Sequence, residues 1–272
     1  MNLFMRFPEG KTKAVTLNYD DGVVQDKRLI EILKPYGIKA TFNINSGLFG
    51  QGDRMTEDEA RELYTGSGHE VSAHTLTHSF LDKMPLSMVA EEVLADRRNL
   101  ERIFGGVVRG MAYPYGVQND AIVEQLKSIG TAYSRVADST NDFRIPTDWL
   151  RLTATCHHNH PALMELVDKF LNADPNAEKY GRSPLLFHLW GHSYEFDRND
   201  NWHVIEKFAK KIAFKDEVWY ATTIQIYDYV KAYNNLIFNV ECNCVFNPSG
   251  QTIWFEKDGV QHSVGANETI RI

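Results

Sequence analysis

The chain has 272 residues, of which 43% are hydrophobic and 24% are charged, and its formal net charge at pH 7 is -7. This length suits one large domain or two small ones, with a core that needs no disulfides. The acidic balance and the lack of a dense Lys/Arg cluster argue against a nucleic-acid partner, and the lack of an apolar run of about 18 residues argues against a membrane span.

Strand-like and helix-like segments alternate along the first part of the chain. The strands are predicted at "KAVTLNY", "IKATFNIN", "HEVSAH", "VVRGMAY", "TAYSRVA", "DWLRLTATC", "PLLFHLW" and "EVWYATT". The helices are predicted at "DKRLIEILK", "TEDEARELYTGSG", "LSMVAEEVLADRRNLERIFGG", "DAIVEQLKSIG", "PALMELVDKFLN", "NWHVIEKFAKKIA" and "IQIYDYVKAYNNL". This alternation predicts an α/β fold with a parallel sheet, and seven or eight such units favour a closed or nearly closed barrel.

After about residue 235 the pattern changes to short strands separated by turn signals, as in "QTIWFEKDG". We therefore predict a barrel over residues 1–235 and a small β appendage over residues 236–272 that packs against it. The three cysteines, Cys156, Cys242 and Cys244, do not form a disulfide framework. Because the N-terminal sequence also lacks the pattern of a signal peptide, we expect a cytoplasmic protein.

Two pairs of metal-binding residue types follow predicted strands. Asp20 and Asp21 end the strand in "TLNYDDG", and His74 and His78 follow the strand in "VSAHTLTH". The chemistry of a (β/α) barrel lies at these strand ends, and His-x-x-x-His places two imidazoles on one face if the segment is a helical turn. Two histidines and one carboxylate can hold a catalytic divalent metal, which leaves the second aspartate free to act as a base. Alone, an Asp-Asp-Gly triplet is usually a turn, and a His-x-x-x-His pair is at least as often a solvated helix face; their joint occurrence at strand ends favours the metal site.

Four motifs together resemble the polysaccharide deacetylases, carbohydrate esterase family 4, which share the NodB-homology domain. "TLNYDDG" resembles the first motif of that family, "HTLTH" the second, "AYPYG" at 112–116 the third and "LLFH" at 185–188 the last. The resemblance extends over about residues 12–230. It implies a distorted barrel of about seven strands and a metal-dependent hydrolysis of an N-acetyl or O-acetyl group on a saccharide.

The resemblance also implies a role for each matching residue. It implies that Asp20 is the general base and that His188 is the general acid. The implied metal ligands are Asp21, His74 and His78. The turn at Pro114 and Tyr115 would offer a backbone N–H to the oxyanion. Zinc is our first choice of metal because two histidines and one carboxylate suit it. Cobalt, nickel, manganese and iron fit the same ligands.

The third motif departs from the family pattern. An arginine that pairs with the catalytic base often stands two residues before the proline, and this chain has Ala112 there. We hypothesise that Arg109, Arg144 or Arg151 replaces it.

An Asp-Trp motif, which orients the acid histidine and walls the pocket in the family, has two candidates here. Asp148-Trp149 matches in residue type, whereas Asp142-Phe143 matches better in spacing. We prefer Asp148-Trp149, although an ordinary junction between a loop and a strand explains it equally well.

The histidines near the last motif leave further alternatives open. His192 is a second candidate for the acid, and we prefer His188 because it stands at the motif position. Trp190 is expected either to stack on a sugar ring or to lie in the core. The segment 156–160, "CHHNH", is a candidate for a second metal site or for the edge of the same pocket, through His157 or His158.

The leading functional hypothesis is an enzyme that removes acetyl groups from a saccharide. A related hydrolase acting on a small cyclic amide or imide is the first alternative, because the expected arginine is absent. A saccharide-binding protein without turnover is the second. The sequence leaves open the oligomeric state and the choice between N-acetyl and O-acetyl groups.

Overall fold

The computed structural model describes residues 2–272 and confirms the α/β class. In chain order its strands are β1 (Leu3–Arg6), β2 (Lys13–Asp20), β3 (Ala40–Ile44), β4 (Glu70–Ala73), β5 (Gly110–Ala112), β6 (Tyr133–Ser139), β7 (Leu152–Ala154), β8 (Cys156–His157), β9 (Leu185–Gly191), β10 (Val218–Tyr220), β11 (Ile237–Phe238), β12 (Cys244–Phe246), β13 (Ile253–Lys257), β14 (Val260–Val264) and β15 (Thr269–Arg271).

The helices follow the strands of the large sheet. They are α1 (Asp26–Leu33), α2 (Glu57–Tyr64), α3 (Leu86–Phe104), α4 (Asp120–Ser128), α5 (Leu163–Asn172), α6 (Tyr194–Arg198), α7 (His203–Ile212) and α8 (Thr223–Asn234). Local signals explain some of their ends, since Thr56 and Glu59 form a capping box at α2 and the Asn119 side chain caps α4. Within residues 2–272, none of these helices has the length and apolar character needed to cross a membrane.

The large sheet is parallel and has the strand order β7-β6-β5-β4-β3-β2-β9-β8, with β10 beside the start of β2. Its two edge strands, β7 and β8, are separated in the chain only by Thr155. The Thr155 N–H donates to the His188 carbonyl on β9 at 2.8 Å, while the Ala154 carbonyl accepts from the Thr140 N–H at 3.0 Å. One short segment therefore joins both edges, and the carboxyl ends of the strands gather at one end of the curled sheet.

Strand β2 is buried at all eight positions, so both of its faces are covered. Val15, Leu17 and Tyr19 belong to the main apolar core, which the helices complete. Side chains alternate along a strand, and on the opposite face Thr16 and Asn18 hydrogen-bond to Thr223 at 3.2 and 2.7 Å. This polar face continues along β2 to Asp20, and it delivers that carboxylate to the end of the sheet.

The C-terminal strands form two small sheets, β1-β13-β14 and β11-β12-β15. The first contains β1, which pairs antiparallel with β13, so segments from both ends of the chain share it. Val245 and Phe255 from these sheets pack in a second apolar core with Tyr229 of α8. The division of the chain at residue 235 stays a prediction.

Candidate active site

The three predicted metal ligands converge at the carboxyl end of the sheet. Asp21 follows β2, and His74 and His78 follow β4. Asp21 Oδ1 lies 3.9 Å from His74 Nε2 and 3.6 Å from His78 Nε2. We call Asp21, His74 and His78 the metal-ligand group, because one ligand atom from each lies within 4.8 Å of the other two.

The backbone around this group is not helical. The condition for His74 and His78 to share a helical face is not met, because the segment after β4 is a loop in which Thr75 has φ 64° and His78 has φ 56°. The backbone of Asp21 also has a positive φ, 83°. Non-glycine residues adopt this conformation at a cost, and such residues often cluster at functional sites.

Buried polar side chains hold that loop in place. Asp96 of α3 accepts the backbone N–H groups of His74 and Ser46 at 3.0 and 2.8 Å. The Asn45 amide donates to the Thr75 carbonyl at 3.0 Å. These bonds replace the helical hydrogen bonds that the loop lacks, and they explain how a strained backbone stays ordered.

The donor set fits a divalent metal. The His74 ring donates from Nδ1 to the Ala112 carbonyl at 2.8 Å, so its Nε2 carries a lone pair that faces Asp21. Burial and the neighbouring His74 lower the pKa of His78 to about 4, which keeps its ring in the neutral form that binds metals. Asp21 Oδ1 is buried and accepts no hydrogen bond within residues 2–272. An orphaned carboxylate oxygen facing two imidazole nitrogens is what an absent cation would leave.

Asp20 pairs with an arginine that the sequence reasoning missed. Arg135 Nη2 contacts Asp20 Oδ2, and the Asn43 amide donates to Asp20 Oδ1 at 2.7 Å. Both partners of the ion pair are buried. Arg135 lies on β6, in register with Ala112 on β5, which is the position where the family often has its arginine. The cation therefore comes from the neighbouring strand at the same level of the sheet.

The hypothesis that one of three other arginines replaces the missing one was wrong. Arg109 pairs with Asp228, Arg144 with Asp142, and Arg151 with Asp120 and Asp148. The available signal was Arg135 itself, a charged residue in the predicted strand "TAYSRVA", because buried arginines are rare unless they are paired.

The charges around Asp20 decide its protonation. Burial alone would raise the pKa of this carboxyl, but Arg135 first, and then His74 and His192, outweigh burial and hold the pKa well below its usual range. Asp20 is therefore ionised at any pH near neutrality.

The two candidate acid histidines lie at different depths. His188 is in register with Thr16 of β2, and Tyr19 is in register with Gly191, so His192 is level with Asp20. His192 Nε2 lies 3.9 Å from Asp20 Oδ2. Four residues of strand separate His188 from that level, a distance of about 13 Å. Burial, together with the Arg135 charge, lowers the pKa of His188 to about 3.

Asp148 and Trp149 do not join the metal-ligand group. Asp148 pairs with Arg151, and Trp149 is buried in the second core with its ring edge-on to Tyr227 at 5.2 Å. A cavity of about 310 Å³ is lined by Asp148, Asp142 and His188, but by none of the metal-ligand group. A larger surface cavity of about 630 Å³ lies between α1 and α2, also away from these residues.

Trp190 is engaged by protein side chains. The Arg135 guanidinium lies 4.3 Å from the centre of its ring, and the His157 ring packs edge-on at 4.6 Å. Trp190 therefore supports Arg135 through a cation–π contact, and this contact occupies ring surface that a sugar would need.

The turn Pro114–Gly116 brings Tyr115 to the metal-ligand group. Tyr115 has φ 59°, and no hydrogen bond from its N–H is found among residues 2–272. Its ring packs edge-on to His78 at 4.6 Å and stacks on Phe80 at 3.7 Å. Gly116 is required in the turn because it has φ 69° and a Cβ there would lie 2.6 Å from the Cβ of Ala137.

The chain is similar to known proteins in both sequence and fold. Residues 8–134 match the family described as polysaccharide deacetylase. A poly-β-1,6-N-acetyl-D-glucosamine N-deacetylase of Staphylococcus aureus is 27% identical over an alignment of 164 residues, and the match covers 52% of this chain and 54% of that protein. The chain thus spans about half the length of the curated relatives it matches.

Two solved structures share the fold. A Mycobacterium smegmatis structure assigned to the polysaccharide deacetylases has a TM-score of 0.63 and 18% identity, and the match covers 84% of this chain and 93% of that one. A family 4 carbohydrate esterase from Streptomyces lividans has a TM-score of 0.52 and 15% identity, with 74% and 88% covered. Residues 8–134 match the polysaccharide deacetylase family and these two structures share the fold, which confirms the resemblance that the sequence motifs indicated.

Proposed function

We propose that this protein is a metal-dependent hydrolase that removes acetyl groups from an N-acetylated saccharide. The observation that carries the proposal is the metal-ligand group beside the buried Asp20–Arg135 pair, in a chain whose residues 8–134 match this family. The name of the Staphylococcus aureus relative, which acts on an N-acetylglucosamine polymer, supports an N-acetyl rather than an O-acetyl substrate.

Asp21, His74 and His78 would hold one divalent ion, with zinc as the first choice for this ligand set. When bound there, such an ion supplies Lewis acidity toward the acetyl carbonyl and toward water. The remaining chemistry belongs to side chains and backbone groups around it.

Asp20 is the proposed general base. Arg135 and Asn43 hold one carboxylate oxygen each, so the side chain has a fixed orientation and stays ionised. A base with a lowered pKa accepts a proton only from an acidified donor, which is consistent with water activated beside it.

The Tyr115 N–H is the proposed oxyanion donor. It lies in a left-handed turn next to His78, and it makes no hydrogen bond among the described residues. Preorganised donors of this kind contribute about 2.7–4 kcal/mol in other hydrolases, because they need no rearrangement as charge develops on the carbonyl oxygen.

Cleavage of an amide needs an acid, because an amine departs only after its nitrogen is protonated. Between the two candidates, the geometry supports His192. Burial lowers the pKa of His192, but the Glu195 contact and the charges of Asp20 and Asp21 raise it by more, so the net pKa is above the ordinary value. His188, with a pKa of about 3, carries no proton to donate near neutral pH.

Phe80 and Tyr115 provide a surface for a sugar next to the metal-ligand group. Their rings are stacked within 3° of parallel and are 47% and 52% exposed. Exposed apolar side chains that lie together, unlike single ones, mark candidate binding surfaces. The free face of Phe80 would pack against a pyranose ring of the substrate.

The test is a panel of N-acetylated and O-acetylated mono- and oligosaccharides, together with cyclic amides and imides. Acetate release from the N-acetylated members by the zinc-loaded protein, and its loss in Asp20→Asn, is the expected result. Ring opening of a cyclic amide without acetate release would favour the alternative hydrolase. Saccharide binding without any turnover would favour the binding protein.

A cytoplasmic location is part of the proposal, and the free cysteines Cys156, Cys242 and Cys244 support it. The substrate would then be a small saccharide precursor rather than a polymer outside the cell. Fractionation of the producing cells tests this point.

A further inference from the structure

Three histidines surround one carboxylate beside the proposed catalytic residues. Glu195 Oε2 lies 3.0 Å from both His157 Nε2 and His158 Nε2. Its other oxygen, Oε1, lies 3.7 Å from His192 Nδ1. We call His157, His158, His192 and Glu195 the Glu195 cluster. It includes His157 and His158 of the "CHHNH" segment, which no step of the proposed reaction uses.

A second metal is the first explanation to consider, since one ligand atom each from His157, His158 and Glu195 lies within 4.8 Å of the others. The protonation of His157 argues against it. The Asn159 N–H donates to His157 Nδ1 at 3.1 Å, so that nitrogen has no proton. A neutral imidazole then carries its proton on Nε2, the nitrogen that lies 3.0 Å from Glu195 Oε2. No lone pair remains there for a metal.

The two adjacent histidines instead fix the position of Glu195. His158 is fully buried and is stacked between Phe196 at 4.1 Å and Tyr19 at 5.8 Å. Gly191 makes room for it, since a Cβ at that position would lie 2.1 Å from His158 Nδ1. Oε2 contacts two rigid rings, so Oε1 is directed toward His192. Oε1 accepts a hydrogen bond from Arg198 Nη2 at 3.2 Å.

We propose that Glu195 is the positioning residue for His192, the role that the sequence suggested for Asp148. The inference rests on the proposed function. The His192 ring lies between two carboxylates, with Nδ1 toward Glu195 and Nε2 toward Asp20, at 3.7 and 3.9 Å. The negative charge of Glu195 lies beside His192 Nδ1, so it stabilises the protonated ring and orients Nε2–H toward the end of β2. That proton passes to the departing nitrogen as its bond to the acetyl carbon breaks, and the ring is left neutral.

The experiment compares two substrates that differ in their need for an acid. An N-acetylated saccharide needs protonation of its leaving nitrogen, whereas an aryl acetate releases a stabilised phenolate without it. In Glu195→Gln we expect kcat for the saccharide to fall about 100-fold, the low end of a general-acid contribution, with KM unchanged. We expect kcat for the aryl acetate to change less than about 3-fold, because the group that Glu195 positions is not used.

A double-mutant cycle tests whether Glu195 acts through His192. Adding Glu195→Gln to His192→Asn should cause no further loss with the saccharide, because a positioning residue has no effect once its target is gone. Glu206→Gln, on the exposed surface of α7, is the matched control. If Glu195→Gln does not fold, Glu195→Asp is the second variant, because it keeps the negative charge but moves the carboxylate away from His192. It should also lower kcat for the saccharide and leave kcat for the aryl acetate nearly unchanged.

Three outcomes would overturn the inference: equal loss of both substrates by a folded Glu195 variant, no loss of either, or additive effects in the double mutant. Binding of a second zinc equivalent that Glu195→Gln abolishes would point to the metal site instead. If the wild-type protein releases no acetate from any saccharide, it is the proposed function that fails.

Discussion

Arg135 and Asp20 form a buried ion pair between two strands that are far apart in the sheet order. The guanidinium is held on one side by the ring of Trp190. Its strand neighbour in register is Ala112, and residues in register on parallel strands present their side chains to the same face. An arginine at either position can therefore reach the same interior.

This relationship predicts the effect of moving the arginine. Arg135→Ala should lower the deacetylation rate about 100-fold, because Asp20 loses the partner that fixes its position. It should also lower the free energy of unfolding by about 3 kcal/mol, since one charge of a buried pair stays unpaired. The double variant Arg135→Ala with Ala112→Arg should recover part of the rate and part of the free energy of unfolding. Acetate release and urea unfolding measure these two quantities.

Arg109→Ala is the control for this series. Arg109 pairs with Asp228 at the surface, where both side chains are over a third exposed. Loss of a surface pair costs at most about 1 kcal/mol and should leave the rate unchanged. Full activity in Arg135→Ala, or no recovery in the double variant, would contradict the proposed role of the pair.

The metal-ligand group predicts a single tightly bound ion. Asp21→Ala, His74→Ala and His78→Ala should each lower the metal content of the purified protein and abolish acetate release, because each removes one of three ligands. Dialysis of the wild-type protein against a chelator should abolish activity, and zinc should restore it. The measurements are elemental analysis and an acetate assay.

His203→Ala, at an exposed position that starts α7, is the matched control for the ligand variants. Its metal content should equal that of the wild-type protein. Unchanged metal content in all three ligand variants would show that the ion binds elsewhere.

The exposed ring of Phe80 predicts an effect on the binding of an oligosaccharide substrate. Phe80→Ala should raise KM for an N-acetylated oligosaccharide about 3- to 10-fold, since an aromatic contact is worth roughly 0.5–1.5 kcal/mol. It should leave kcat almost unchanged because Phe80 contacts no reacting group. Phe214→Ala, at a ring that is 73% exposed on another surface, serves as the control. A fall in kcat with an unaltered KM would argue against the stacking role.

The buried carboxyl of Asp26 predicts a pH dependence of stability. It accepts hydrogen bonds from the hydroxyls of Tyr64 and Ser193, and burial raises its pKa to about 7. The unfolded chain ionises near pH 3.9. Between these values the folded state binds the extra proton, so the free energy of unfolding falls as pH rises, by up to about 1.4 kcal/mol per unit.

Asp26→Asn removes this titration. The stability of the variant relative to the wild-type protein should therefore increase from pH 4 to pH 7, as followed by urea unfolding across that range. The free energy of unfolding of the control Asp58→Asn, at an exposed side chain, should depend on pH in the same way as that of the wild-type protein. If the free energy of unfolding of Asp26→Asn also had the pH dependence of the wild-type protein, Asp26 would be ionised in the folded protein throughout this range.

The sequence by itself determined the α/β class and identified four of the candidate site residues. Both follow from local patterns: hydrophobic periodicity predicts strands and helices, and Asp20, Asp21, His74 and His78 stand at strand ends that must meet at one end of a parallel sheet. Local patterns also misled, because the left-handed loop around His78 depends on Asn45 and Asp96 rather than on its own sequence.

Only the tertiary structure decided which partners surround those residues. Arg135 reaches Asp20 because β6 is in register with β5, and His192 rather than His188 is level with Asp20 because β9 is in register with β2. Glu195 meets His157 and His158 across about forty positions of chain. Register between distant strands is set by packing across the whole sheet, and a shift of one residue would turn each side chain to the other face.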